Sequence, residues 1–483
     1  MDHFDIAENM TNMYNKINIT IPYRFDSNHI LEKICLQIIK VAVLPAQKMF
    51  FQVCAKIVEN IKEIIHSNHF LSRHRFSEKD FTRDRKLPFS RLIYHFINFN
   101  KRAYQDELDS FFKLINNLEI DEREVTKGAL SIARQKLKYE AFIELNRHLN
   151  AQFYLHFKTE TWNGYNLYGI DGSTLRVPKD TKTTDHFGTW KPKNGEPCPI
   201  ARISQMFDVL NKVTLDAVIS PKETGERELA AEHLALAGKD DLILLDRGYP
   251  AFWLFKMILL KQANFCARVP ITKWKRVHEF YQSGKAEDIV LIHPSYPATR
   301  KCHELGLDKN PIPIRFVRVE LENGETEILM TSLTDIDRFP HCVFDDLYHL
   351  RWPVEEDYKT MKCRMEAENF SGKSVLSVYQ DFHAKVFSKN LTAVLAFPAN
   401  KTIEKQSAQK RYVYQLNFTQ ALSRMKDAIV LLFLKPGSGI VNILKKLNNL
   451  FVKTIEPIRP GRKYPRKSRV QKKGFYVSYK PIR

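Results

Sequence analysis

The sequence predicts a mixed α/β core set between helical N- and C-terminal regions. Three observations predict it. Apolar residues recur at helical spacing before about residue 160 and again from about 343. Between those regions strand-like runs alternate with helical ones, the pattern of a mixed sheet with helices packed on it. Within that stretch, residues 242–245 form a short, wholly apolar run, as expected of a strand buried on both faces. At 483 residues the chain has room for about three domains, at roughly 150 residues each.

Residues 1–75 read as a helical domain, through Ile30, Ile34, Ile38 and Val41 and then Phe50, Val53, Ile57 and Ile61. The polar, basic segment 76–88 leads into more helical periodicity, so 76–160 reads as a helical linker domain. The character changes near Trp162. Residues 165–177 read as the first strand, with 203–210 and 213–220 as the next two and Asn211-Lys212 as the turn between them. Thr224 is the expected N-cap of a helix running to Ala237. The strand 242–245 and a helix over 251–262 follow. Residues 265–325, with five prolines, read as a β-rich insertion, and 327–332 as one more strand. A helical region spans 343–397, broken near Ser371-Gly372. The core domain is therefore placed at 161–395, with a C-terminal helical region and basic tail over 396–483.

Charge narrows the partner. Seventy-five Lys and Arg against 55 Asp and Glu give +20, which suits nucleic acid or an anionic membrane surface. Ten basic and no acidic residues fall within 459–483, interleaved with Tyr464, Phe475, Tyr476 and Tyr479. Aromatics among cations favour nucleic acid over a merely solubilising tail. The 32 Phe, 19 Tyr and 5 Trp exclude disorder throughout. No window reaches about 18 uninterrupted apolar residues, so no membrane span is expected. The start, Met-Asp-His-Phe-Asp, does not read as a signal peptide. The seven scattered cysteines, with no CxxC pair, support neither a disulfide framework nor a zinc ribbon, and a reducing, cytoplasmic setting is expected.

Three carboxylates stand out. Asp171 lies near the end of the first strand, followed by Gly172-Ser173, and Asp246 ends the apolar run, followed by Arg247-Gly248-Tyr249. A charge directly after four buried aliphatics is costly unless it is paired or binds a cation. Strand C-termini are also where α/β folds place their sites. An Asp that merely caps the next turn would look the same. The third is Glu355. Tyr348, Arg351, Glu355 and Lys362 stand at offsets 0, 3, 7 and 14, within one stripe of a continuous helix at about 100° per residue. Pro353 favours a helix start near Trp352, which would bend the stripe. An acid flanked by cations is what a phosphodiester site needs; a solvated charged helix face has the same look. His186 and His383 read as an ordinary loop residue and a packing residue.

Taken in order, Asp171 with Gly-Ser, Asp246 in Leu-Leu-Asp-Arg-Gly-Tyr, and Tyr348, Arg351, Glu355 and Lys362 closely resemble the bacterial insertion-sequence DDE transposases with a YREK signature. The resemblance covers roughly residues 76–395 and includes Phe81-Thr82-Arg83-Asp84-Arg85-Lys86-Leu87-Pro88 ahead of the core. The acids are 75 and 109 residues apart; the family accounts for the second interval by a β-rich insertion before the Glu helix. The resemblance implies a ribonuclease H-like catalytic core, a mixed five-stranded sheet with helices, in which Asp171, Asp246 and Glu355 are catalytic. It implies that these three hold two Mg²⁺ ions, with Mn²⁺ able to substitute, all-oxygen donors being a poor zinc set. Arg351 and Lys362 would grip phosphates and Tyr348 the backbone or a displaced base. Trp274, in the insertion among Lys273, Lys275 and Arg276, is the candidate to stack on a flipped base, though a core Trp reads the same. Arg247 would contact DNA or pair with a site carboxylate. The implied partners are double-stranded DNA, as inverted-repeat ends and target, and a second copy of the chain, in the bacterial cytoplasm at the nucleoid. Three other readings remain open: a DNA-binding relic of such an enzyme, a nuclease of similar core without strand transfer, and a basic scaffold in which the acids serve as ion pairs.

Overall fold

The computed structural model describes residues 46–191, 196–321, 324–459 and 480. The helical reading through Ile30 to Val41, and most of the basic tail, lie outside the described residues. The described chain divides into a helical unit and a unit built on one sheet.

Among the described residues the helical unit opens with α1 (Ala46–His66), α2 (Asn68–His74), α3 (Phe89–Phe96), α4 (Tyr104–Asn116), α5 (Lys127–Arg134) and α6 (Glu140–His156). Apolar residues three and four apart make these helices one-sided: Ile57, Val58, Ile61 and Ile65 of α1 are fully buried. Ser67 and Thr126 cap α2 and α5 by accepting from the amides of Phe70 and Ala129. Asn117, at φ 55°, closes α4.

The second unit carries β1 (Asn166–Arg176), most of the short helix α7 (Thr181–Phe187), β2 (Thr189–Trp190), β3 (Cys198–Asp208), β4 (Val213–Pro221), α8 (Glu226–His233), β5 (Asp241–Leu245), α9 (Phe252–Leu260) and β6 (Asn264–Val269). The strands β4-β3-β1-β5-β6 form a five-stranded mixed sheet: β3 is antiparallel to β1 and β4, and β1, β5 and β6 run parallel. This is the ribonuclease H-like core. All five residues of β5 are buried, as its unbroken apolar run requires. The chain continues through α10 (Lys275–Gln282), β7 (Glu287–Ile292), α11 (Tyr296–Glu304), β8 (Ile312–Glu320) and β9 (Thr326–Thr331), then α12 (Val343–His349) and α13 (Pro353–Lys359).

Among the described residues the sheet has nine strands, the five of the expected core and four more. The insertion does not fold apart: β9 pairs antiparallel with β6, and β8 and β7 follow outward. An open β6 edge would leave a row of unpaired N–H and C=O groups, and these strands cover it. Residues 264–269, mostly counted with the insertion in the sequence, belong to the parallel ladder. The N-cap of α8 is Gly225, not Thr224.

The helical unit resumes at a π-helical turn (Thr360–Arg364), followed by α14 (Val375–Ser407), β10 (Tyr414–Leu416), α15 (Phe418–Met425), α16 (Ala428–Leu434), α17 (Gly437–Lys453) and β11 (Ile455–Pro457). Helix α14 is buried on nearly all sides, and its polar groups are paired accordingly: Asp381 meets Arg134 at 3.0 Å and Gln380 accepts from Arg134 Nε at 2.9 Å. His383 packs its ring on Tyr139.

Candidate active site

Strand register brings the first two acids together. Ile170 of β1 pairs with Leu245 of β5, so the next residues, Asp171 and Asp246, stand side by side where the parallel pair ends. The third acid arrives on α13, which lies against β1 because Gly169 has no side chain. A Cβ there would meet Val209 Cγ1 at 3.2 Å and Val354 Cβ at 3.5 Å. Val354 is wholly buried, and its neighbour Glu355 is thereby carried to the sheet end.

Each acid is differently held. Asp171 is half-buried and accepts from the Gly172 amide at 2.9 Å, while its carbonyl accepts from the Tyr358 hydroxyl at 2.7 Å. Burial pushes the Asp171 carboxyl up to about 6, and the charges of Glu355 and Asp246 add to this against the Gly172 amide and Arg351. Burial also opposes charge on Asp246, but there the Arg247 amide and the Arg268 and Arg351 guanidiniums prevail and hold the carboxyl below its usual range. Arg268 donates twice to Asp246 Oδ1, at 2.8 and 3.1 Å, and also pairs with Glu327. The Tyr348 hydroxyl donates to the same oxygen at 3.3 Å. Burial keeps that phenol protonated well above its ordinary range. Arg351 Nη2 binds Glu355 Oε1 at 2.7 Å, and the guanidinium, buried, lies 5.7 Å from the Tyr348 ring centroid.

Behind β1 a buried chain ties the sheet to α8. His233 Nδ1 lies 2.8 Å from Asp216 Oδ2, its Nε2 lies 2.9 Å from Ser204 Oγ, and that hydroxyl donates to the Asp171 carbonyl at 3.4 Å.

The structure brings Asp171, Asp246, Tyr348, Arg351 and Glu355 together. The expected single stripe is not a single helix: α12 ends at His349, α13 starts at Pro353, and the π-helical turn holding Lys362 breaks the 3.6-residue period beyond Lys359. Arg351 points into the protein onto Glu355 and is not a surface cation. Arg247 is exposed and, among the described residues, has no carboxylate partner. Trp274 is half-buried at the start of α10, its ring 6.4 Å from that of Phe255, and is less exposed than its basic neighbours suggest.

Sequence reasoning missed Arg268, Tyr358, Tyr249 and Glu226. Arg268 follows Ala267, the parallel partner of Leu245, so it stands beside Asp246 just as Asp171 does on the other side. The register of β6 on β5 is the signal that marks it. Tyr249 places a buried hydroxyl, without a partner among the described residues, 3.2 Å from where a Gly172 Cβ would stand. Glu226 pairs with Arg202 at 2.9 Å and brings its Cγ within 3.3 Å of the same point.

The donor set suits a hard divalent cation. Three carboxylates converge with no thiol or imidazole, and burial, with the charges of Glu355 and Asp246 added, raises the proton affinity of Asp171. Among the described residues no three acidic, His or Cys side chains are gathered tightly enough to hold an ion as they stand; Arg268 and Arg351 engage Asp246 and Glu355 instead.

Comparison with known proteins places the chain in a family. The model of the family described as transposase DDE domain matches residues 162–420. The transposase InsG for insertion sequence element IS4 of Escherichia coli (strain K12) is 24% identical over 393 residues, covering 80% of this chain and 86% of the relative. A putative transposase of the same organism, InsZ, is 24% identical over 121 residues, 24% of this chain and 40% of the relative. A solved structure, the piggyBac transposase synaptic complex with hairpin DNA, aligns over 82% of this chain and 81% of its own at 9% identity and a TM-score of 0.42. With paired aspartates and a helix-borne glutamate inside a family match that spans more than half of its length, the chain belongs to the DDE transposases.

Proposed function

We propose that this transposase cleaves DNA at the inverted-repeat ends of its own mobile element and joins the freed 3′-OH ends to target DNA. The observation that carries the proposal is the register that sets Asp171 beside Asp246, with Glu355 close enough to raise the proton affinity of Asp171. Asp171, Asp246 and Glu355 would hold two Mg²⁺ ions, for which Mn²⁺ substitutes. Such ions, when bound, supply an activated attacking oxygen and neutralise charge on the leaving oxygen.

The chain's own groups prepare that chemistry. Arg268 and Tyr348 orient Asp246, and Arg351 orients Glu355, so both are aimed before DNA arrives. Asp171 must lose a proton that it holds up to about pH 6. Arg247, exposed beside Asp246, contacts a phosphate, as does Lys362. Tyr348 borders the scissile strand, and Trp274 stacks on a displaced base at the element end. Residues 1–75 read the terminal repeat, 76–160 link it to the catalytic domain 161–395, and the basic tail adds salt-sensitive affinity. Cutting both ends in one complex takes two copies of the chain, at the nucleoid of the bacterial cytoplasm.

The test incubates purified protein with duplexes carrying the element's ends, with and without Mg²⁺ or Mn²⁺, beside Asp246→Ala. Metal-dependent nicking at the boundary, lost in the variant while binding survives, is expected. Binding without cleavage under every metal condition would mean a relic, and cleavage indifferent to the ends a general nuclease.

A further inference from the structure

The helical unit carries a recess. The segment 79–88 and helix α5 enclose a cavity of about 570 Å³, within the roughly 300–1,000 Å³ that takes small organic groups. Its floor is apolar, with Leu87, Pro88, Val125 and Ile132 among the lining residues, and Ile132 is 59% exposed. Its rim is basic. Lys86 is engaged by Glu124, and Lys136 lies 3.5 Å from Asp80. Lys79, Arg83 and Arg85 are exposed and, among the described residues, have no carboxylate partner.

The loop that presents these cations has a set shape. The Asp80 carboxylate accepts from the Ser77 amide at 3.0 Å, and the Thr82 hydroxyl donates to the Lys79 carbonyl at 3.0 Å. Phe81 sits at φ 60°, a conformation that bulky residues rarely adopt, with its ring edge-on to Phe89 at 5.3 Å. Unpartnered cations over an apolar floor match a polymer whose charged links alternate with apolar ring faces.

We propose that this recess is a second DNA-binding site. It receives the sugar–phosphate backbone of duplex DNA, with Lys79, Arg83 and Arg85 on phosphates and a deoxyribose face against Ile132 and Pro88. The site rests on the transposase reading and adds a contact outside the acid site. Phosphate contacts position without reading sequence, so the recess serves element ends and unrelated duplex alike.

The test measures affinity of the full chain for an element-end duplex and an unrelated duplex across a salt series, comparing wild type with the triple variant K79A/R83A/R85A. Each lost phosphate contact removes about 0.9 from the slope of log K against log salt. The triple variant is therefore expected to lower the slope by up to about 2.7, and affinity at about 0.1 M salt by tenfold to roughly 500-fold. Both duplexes should suffer equally. A control that removes the same charge elsewhere, K261A/R300A/K309A, is expected to change the slope less. Ile132→Glu, at an exposed position, is expected to weaken binding with the helical circular dichroism intact. An unchanged slope in the first triple variant, an equal loss in the control, or equal displacement of DNA by poly-glutamate would overturn the recess. Wild-type protein that cuts element ends while the triple variant keeps its slope would overturn the recess alone; wild type that binds neither duplex would overturn the transposase reading itself.

Discussion

Replacing Asp171 by Asn should stabilise the metal-free protein while abolishing cleavage. The rise of the carboxyl from 3.8 to about 6 is a factor of about 100 in proton affinity, or about 3 kcal/mol. In an acid whose folded-state value is raised, the native state binds more protons than the unfolded chain between those two values. Stability therefore declines as pH rises from about 4 to about 6 and stays reduced above that. Asn leaves an oxygen for the Gly172 amide but carries no charge, so it removes the cost. The full 3 kcal/mol is a ceiling for a half-buried group; half of it is about 1.5 kcal/mol, or about 3–6 °C in Tm for a domain of some 200 residues. The assay is thermal unfolding in EDTA at pH 8 and at pH 4.5. The gain should be present at pH 8 and largely gone at pH 4.5. Added Mg²⁺ should raise the Tm of the wild type and leave Asp171→Asn nearly unmoved. A variant equally or less stable at pH 8, or a gain independent of pH, would refute the reasoning that burial and the neighbouring acids make the Asp171 charge costly.

Two further outcomes follow from the packing. Gly169→Val puts methyl groups where Val209 and Val354 already stand at 3.2–3.5 Å; overpacking of this kind costs about 1–3 kcal/mol, read by denaturant unfolding. If α13 shifts by about 1 Å to relieve it, cleavage should fall on the order of 100-fold, with DNA binding unchanged in a gel-shift assay. Arg268→Met removes the cation that most directly opposes protonation of Asp246, so the acidic limb of the cleavage-rate profile should move to higher pH; a limb that stays in place would mean that Asp246 does not depend on Arg268.

Much of the core was legible because its signals are local. The wholly apolar 242–245 reads as a strand covered on both faces, and it lies at the middle of the sheet. Asp171 and Asp246 could be singled out because each interrupts an apolar run. What was not legible depends on pairing between distant segments. Nothing in residues 287–331 says that their strands extend the core sheet rather than form a separate one, since that choice is made by the open edge of β6. Arg268 looks like an ordinary strand residue until β6 is set in register with β5, and only then does it face Asp246. The Tyr348 to Lys362 spacing shows the opposite error. An arithmetic stripe assumes one unbroken period, and Pro353 and the π-helical turn interrupt it twice.

The arrangement of cations explains why burial and charge coexist at this sheet end. Asp246 and Glu355 each have a guanidinium, supplied by β6 and by the turn before α13. Asp171, between a glycine amide and two backbone contacts, has none of its own. Two acids are thus neutralised by the protein and the third is left to be neutralised by something else. A proton can do so below about pH 6. Above it, only a cation from solution restores the balance, and when it binds it must compete with Arg268 and Arg351 for carboxylate oxygens. Weakening those guanidinium contacts should then tighten cation binding while loosening the aim of the acids. For that reason, affinity for the ion and rate of cleavage are expected to move in opposite directions in Arg268 and Arg351 variants.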